Sequence, residues 1–161
     1  MQLRQKNIDL IFKVIGWFQI IGGITGLVLI GNLLLTTGTL NGPLLLIYLI
    51  GIGLFMFSLY AGKTLINPIS RPDGLIFSFI NQTLQLFQWS LFGYGLTYSS
   101  GALISVGFKN FSVSFDFSIF ISSFEMYINS SHEFYFKINL IAVFLIILLC
   151  YIKNKTGADD E

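Results

Sequence analysis

The chain has 161 residues, of which 54% are hydrophobic and 11% charged, with a mean hydropathy of +0.77 and a net charge of +1. An ordinary soluble domain carries about 25% charged residues, and a domain this small leaves too much surface in water to hide so much apolar area. The near-neutral balance excludes the clustered basic face that nucleic acid requires, and a single cysteine (Cys150) and a single histidine (His132) exclude an internal disulfide and any multi-cysteine or multi-histidine metal centre.

A membrane-spanning helix needs about 20 mostly apolar residues. Residues 14–35 meet this, with Gln19, Thr25 and Asn32 as polar interruptions. The stretch is too long for a signal peptide, and no small-x-small cleavage pattern follows it, so it reads as a retained anchor. Gly22 and Gly26 form a GxxxG pair that lets two helix backbones approach closely. Residues 44–61 form a second span, opened by Asn41-Gly42-Pro43, a turn followed by a proline suited to a helix start. Ser58 and Gly62, four apart, extend the small-residue packing face. Within one polytopic chain, such faces pack helix on helix.

Residues 75–98 are long enough for a third span but carry Ser78, Asn81, Gln82, Gln85 and Gln88. Ser78, Gln82, Gln85 and Trp89 recur at the spacing of one helix face, with Asn81 and Gln88 beside it. Lipid offers these groups no partner, so the stripe must face protein or a wet cavity. It reads either as a hydrogen-bonded seam between helices or as the lining of a pathway. No Asp, Glu, Lys or Arg lies mid-span, which argues against a proton or ion pump.

Residues 111–121 alternate Phe, Val and Ile with Ser and Asp, Phe120 being the one break, and this period of two predicts a strand. Shorter alternations follow at 124–129 and 134–138, separated by a turn at 129–132, and residues 102–108 suggest one more strand. Together they predict a small antiparallel β-meander over about 102–138, capping the outer end of the molecule. A fourth span then runs over 134–152 if Lys137 snorkels.

Seven cationic residues (Arg4, Lys6, Lys13, Lys63, Arg71, Lys153, Lys155) then fall on one side and two (Lys109, Lys137) on the other. The positive-inside rule places both termini in the cytoplasm and residues 99–135 outside, in the plasma or inner membrane by default. The expected fold is one α-helical membrane domain, residues 1–161, with four transmembrane helices and a small β-meander between the third and fourth.

No GxGxxG, GxxxxGK[ST] or HExxH pattern is present, and Gly62-Lys63-Thr64 lacks the first glycine of a phosphate loop. Asp116 and Glu125 are the one imaginable carboxylate pair, with no further catalytic constellation around them. The composition points to a non-enzymatic membrane assembly or accessory subunit without cofactor, acting through helix packing and the β cap. Its partners would be the lipid bilayer and a second copy or another membrane protein. The alternative is a homo-oligomeric channel lined by the polar stripe of the third span.

Overall fold

The computed structural model describes residues 2–119, 122–128 and 134–157, with side chains from Asn7 to Lys155 among them. The elements run α1 (Gln2–Thr36), α2 (Gly42–Ile66), α3 (Arg71–Leu84), β1 (Phe87–Leu91), β2 (Tyr94–Ser99), β3 (Ala102–Lys109), β4 (Ser112–Ile119), β5 (Ser123–Tyr127), β6 (Tyr135–Asn139) and α4 (Leu140–Gly157). The turn expected at 129–132 lies outside the described residues.

α1 and α2 form an antiparallel hairpin. The Asn41 side chain accepts from the Leu44 amide at 2.9 Å and Pro43 occupies the first turn, so α2 starts where a cap and a missing N–H suit it. Asn67-Pro68 ends it, since a residue before proline leaves the helical region. Both helices, counted over Asn7–Thr36 and Gly42–Ile66, are long and apolar enough to cross a membrane.

The four-span arrangement does not hold: among the described residues only these two helices pass that test. The third apolar stretch is half helix and half hairpin. α3 stops at Leu84, and from Phe87 the chain alternates Phe87, Trp89 and Leu91 against Gln88 and Ser90 as a strand. Phe92 and Gly93, both at positive φ, turn it straight back into β2. Two consecutive left-handed residues make the tight hairpin turn whose twist matches the strands. The fourth stretch is likewise divided. Its first residues, Tyr135–Asn139, are a strand, and the Asn139 Oδ1 then caps α4 by accepting from the amides of Ile141 (3.0 Å) and Ala142 (3.4 Å).

The sheet is correspondingly larger than a meander. It has six antiparallel strands in the order β4-β3-β6-β1-β2-β5, so only β1–β2 and β3–β4 are sequential hairpins. Chain connectivity forces it to curl. Ser99 and Ala102 are three residues apart, a reach of about 10 Å, yet β2 and β3 are separated by β1 and β6, about 14 Å in a flat sheet. Ile119 and Ser123, four residues apart, join the two opposite edges, which a flat sheet would hold about 24 Å apart.

The two ends of the hairpin bury different partners. Near the start of α1, Phe12 and Ile15 pack with Leu65 of α2 and with Leu145, Leu149 and Ile152 of α4. Further along, Ile30, Tyr48 and Phe55 pack against Tyr98 of β2 and Phe124 of β5. The first end also gathers the cations. Arg71 pairs with Asp9 at 2.6 Å and lies over the Phe12 ring, while Lys13, Lys63, Lys153 and Lys155 sit at helix positions close to the same cluster. The opposite turn, residues 37–41, is uncharged.

Candidate functional site

The polar residues of the third stretch sit on three different kinds of backbone, and two of them, Asn81 and Gln85, join one hydrogen-bond network. Ser78, Asn81 and Gln82 project from α3, Gln85 is the residue that ends it, and Gln88 lies on β1. All five are essentially fully buried. The face that these residues would share on one continuous helix therefore exists only as far as Gln82.

Asn81 is the hub. Its Nδ2 donates to Gln19 Oε1 on α1 and to Ser58 Oγ on α2, both at 3.2 Å, and its Oδ1 accepts from the Tyr98 hydroxyl of β2 at 3.1 Å. Ser58 Oγ also donates to the Gln19 carbonyl at 3.0 Å and exchanges a 2.9 Å bond with Ser100 Oγ. The Ser100 amide in turn donates to Gln85 Oε1 at 2.8 Å. Close by, Ser122 Oγ donates to the Gly22 carbonyl at 2.7 Å and accepts from the Gly101 amide at 3.1 Å. Three helices and the β2–β3 link are thus fastened at one level by side-chain bonds. Burial pushes the Tyr98 phenol well above its usual range, with the Ser58 and Ser100 hydroxyls pulling it partly back, so it stays a neutral donor.

The glycine faces explain how these groups come within reach. A Cβ on Gly22 would lie 2.5 Å from the Ser100 carbonyl carbon, and one on Gly26 would enter the Phe55 ring. A Cβ on Gly62 would lie 2.5 Å from the Gly16 carbonyl oxygen. Gly22, Gly26, Ser58 and Gly62 therefore pack inside a single chain, and Gly22 receives a sheet link and not another helix.

The seam is rich in donors and short of acceptors. The Nε2 groups of Gln19, Gln82, Gln85 and Gln88, the Nδ2 of Asn139 and the Ser78 hydroxyl are buried without a partner. A buried donor left unpaired costs about 1–3 kcal/mol, so this cluster stands out in a chain of this size.

The sheet itself is inverted relative to a soluble one. The pairing register places Ser114 and Asp116 (β4), Ser105 (β3), Lys137 and Asn139 (β6), Gln88 and Ser90 (β1) and Thr97 (β2) on one face, with Leu103 as the apolar exception. Side chains meet across intervening strands on this face. Thr97 Oγ1 and the Tyr135 hydroxyl are 3.0 Å apart over β1, and Lys137 Nζ reaches over β3 to Asp116. The polar face is therefore the concave one, and its central residues are buried. The convex face carries Phe87, Phe108, Val113, Phe115, Phe117, Ile119 and Phe136, all substantially exposed. Sequence reading located the alternation at 111–121 but not that the greasy side would point outward. The signal was the alternation of Gln88 and Ser90 in β1, and of Ser112, Ser114, Asp116 and Ser118 in β4, with apolar residues.

Among the described residues, no group of three His, Cys, Asp or Glu side chains could hold a metal ion. Cys150 is exposed on α4. Asp116 is occupied by Lys137, and Glu125 accepts from the Tyr127 hydroxyl at 2.8 Å, so the two carboxylates each have their own partner. No protein-family model, no curated protein and no solved structure matches this chain.

Proposed function

We propose that this is an integral membrane protein that acts by assembly, as a non-enzymatic accessory subunit. The observation that carries this reading is the inverted distribution of polarity. Amides, hydroxyls and the Lys137–Asp116 pair are gathered inside, while Trp17, Val28, Leu49, Met56, Phe115, Phe144 and Ile147 lie outside with 56–74% exposure. Water would penalise such a surface, and monomeric soluble proteins rarely expose contiguous apolar patches beyond a few hundred Å². Lipid accepts it, and an apolar exterior around a polar interior is the pattern of sheets that sit in membranes.

In this reading α1 and α2 cross the bilayer. The end bearing Lys13, Lys63, Arg71, Lys153 and Lys155 lies in the cytoplasm, which puts both chain ends on that side of the plasma or inner membrane. The strands, 5–8 residues long, fall short of the 9–11 needed to span. The convex aromatic face instead lies against α1 and α2 at one side and against lipid or a membrane partner elsewhere.

Gentle extraction of the tagged protein from its native membrane, with measurement of particle mass and of every chain present, tests this. A stable particle of defined composition is expected. A monomer that leaves the membrane in alkaline carbonate would overturn both parts of the reading.

A second reading, passage of a polar solute, draws on the unpartnered amide donors. The amide seam lies within one chain, so a pathway would run through the protomer along Gln19, Gln82 and Gln85. Flux through reconstituted vesicles that Gln85→Leu abolishes would support it, and silent vesicles with verified insertion would dismiss it.

A further inference from the structure

We propose that Gln85, Gln88 and Asn139 form a buried site for a small monovalent anion, where the curled sheet meets α3 and α4. The inference deepens the second reading above by naming the solute, and it rests on the same kind of amide donor. All three side chains are 1–2% exposed, and the Nε2 or Nδ2 of each has no partner among the described residues. The backbone brings them together. Gln88 pairs with Lys137 in the register of β1 and β6, so Asn139, two residues on, is its diagonal neighbour on the concave face. Such neighbours have Cα atoms about 7–8 Å apart, within reach of long side chains. Gln85 precedes Leu86, whose carbonyl accepts from the Asn139 main-chain amide at 2.9 Å. Gln82, one turn earlier on α3 and 1% exposed, adds a fourth amide of the same kind.

The orientation of two of these amides is fixed, so their other ends can only donate. Gln85 Oε1 accepts from the Ser100 main-chain amide at 2.8 Å. Asn139 Oδ1 caps α4 by accepting from Ile141 and Ala142. Turning either side chain over would leave buried main-chain N–H groups unpaired, which is costly. Each NH2 end offers two hydrogens and no acceptor. Water would accept from them but brings two hydrogens of its own, which need acceptors in turn. An anion only accepts. The surroundings also favour negative charge. Asn139 caps an 18-residue helix with no acidic residue in its first turn, and the positive end of a helix dipole attracts anions. Lys137, on the same face, is 8% exposed whereas its partner Asp116 is 44% exposed, so water screens the carboxylate more than the ammonium. The end of α3 contributes the opposite sign, but the amides of Gln85 and Leu86 already occupy the Gln82 and Thr83 carbonyls there. Because Lys137 is paired, a monovalent ion is selected over a divalent one, whose burial is far more costly. Chloride and nitrate belong to this class.

Thermal unfolding of the purified full chain in detergent tests it, with sodium chloride or sodium nitrate replacing sodium gluconate at constant ionic strength. A ligand that binds only the folded state stabilises it with the logarithm of its concentration. The unfolding midpoint should rise by about 3–6 °C for each tenfold increase in anion above its Kd. Nitrate is the sharper probe, because it is not one of the excluded salts that strengthen apolar burial in every protein. Gln88→Met keeps the length of the side chain and removes the donor. It should lower the anion affinity at least tenfold and leave the midpoint in gluconate unchanged or higher. Asn139→Asp keeps the cap on α4, exchanges the donor for a negative charge, and should abolish the response. If either variant fails to fold, Gln85→Glu, which keeps the bond from the Ser100 amide, takes its place. A wild-type midpoint that rises in neither anion overturns the proposal, as does a rise that a folded variant retains in full. Vesicle flux separates the site from passage. An anion response with silent vesicles dismisses passage and leaves the site standing, whereas flux without any anion response removes the site alone.

Discussion

The hydroxyl of Tyr98 on β2 donates to Oδ1 of Asn81 on α3 at 3.1 Å, and this one bond joins the sheet to the helices at the level where α1 and α2 are also tied. The single hydroxyl hydrogen of Tyr98 is shared between this acceptor and the Leu54 carbonyl of α2, 3.0 Å away. Helix packing and sheet placement are therefore not separate events in this protein. Whatever disturbs Asn81 disturbs both.

Replacing Asn81 by leucine should accordingly be among the most destabilising single changes. It orphans Gln19 Oε1 and removes partners from Ser58 and Tyr98, all buried. A loss of about 2–4 kcal/mol is expected from unsatisfied buried groups. Thermal unfolding in detergent measures it, and an unchanged midpoint would show that the seam contributes nothing to stability.

Two glycines of α2 should respond oppositely to the same change. Gly62→Ala places a Cβ 2.5 Å from the Gly16 carbonyl oxygen, a backbone atom that cannot step aside without moving α1. Gly53→Ala meets nothing within 4 Å. The first should destabilise by about 1–3 kcal/mol through overpacking, and the second should be neutral or gain up to about 1 kcal/mol from helix propensity. Paired unfolding curves decide it.

The Lys137–Asp116 pair lends itself to a double-mutant cycle. Lys137 is 8% exposed and Asp116 44%, so the lysine bears most of the burial. Asp116→Asn leaves a buried ammonium without its counter-charge, whereas Lys137→Met leaves an aspartate that water can still reach. Asp116→Asn should therefore be the more harmful single change, and Lys137→Met should recover part of its loss in the double variant. Strictly additive effects would show that the two side chains do not act as a pair.

Tyr98 gives the fold an alkaline limit. Its phenol is held neutral by burial, above the ordinary value of 10.0. An acid whose folded-state pKa is raised contributes stability in full below its unfolded pKa and loses it as pH rises toward the folded value. Stability should therefore be unaffected by this group below about pH 9 and decline above pH 10. In an ultraviolet phenolate titration, Tyr98→Phe should remove a late ionisation step that coincides with alkaline unfolding.

Much of the local structure was legible in the residues. The α2 start could be read from Asn41-Gly42-Pro43, because capping and a proline at the first turn are local chemistry. The strand of β4 could be read from eight alternating residues. The burial of the polar residues of the third stretch was legible as well: lipid offers them no partner, and Ser78, Asn81, Gln82, Gln85 and Gln88 are all buried. The end of α3 was the harder case. Residues 78–89 satisfy helical spacing and residues 87–91 satisfy strand alternation, and length and hydropathy favoured one long helix. The turn at Phe92-Gly93, with Phe92 at positive φ, is a weak hairpin signal because phenylalanine rarely takes that conformation.

Composition by itself determined that much of the molecular surface would be apolar, since 11% charged residues are too few to cover it. Local sequence determined where helices begin and where strands alternate. Tertiary structure alone decided that the third and fourth apolar stretches divide into half helix and half strand, and that β6 inserts between β3 and β1. It also decided that the polar side of the sheet is the inner one. These outcomes depend on pairings between residues as distant as Gln88 and Lys137 or Ser105 and Asn139. Hydrogen bonds of that range are set by the sum of all strand partners, which no local window of the sequence contains.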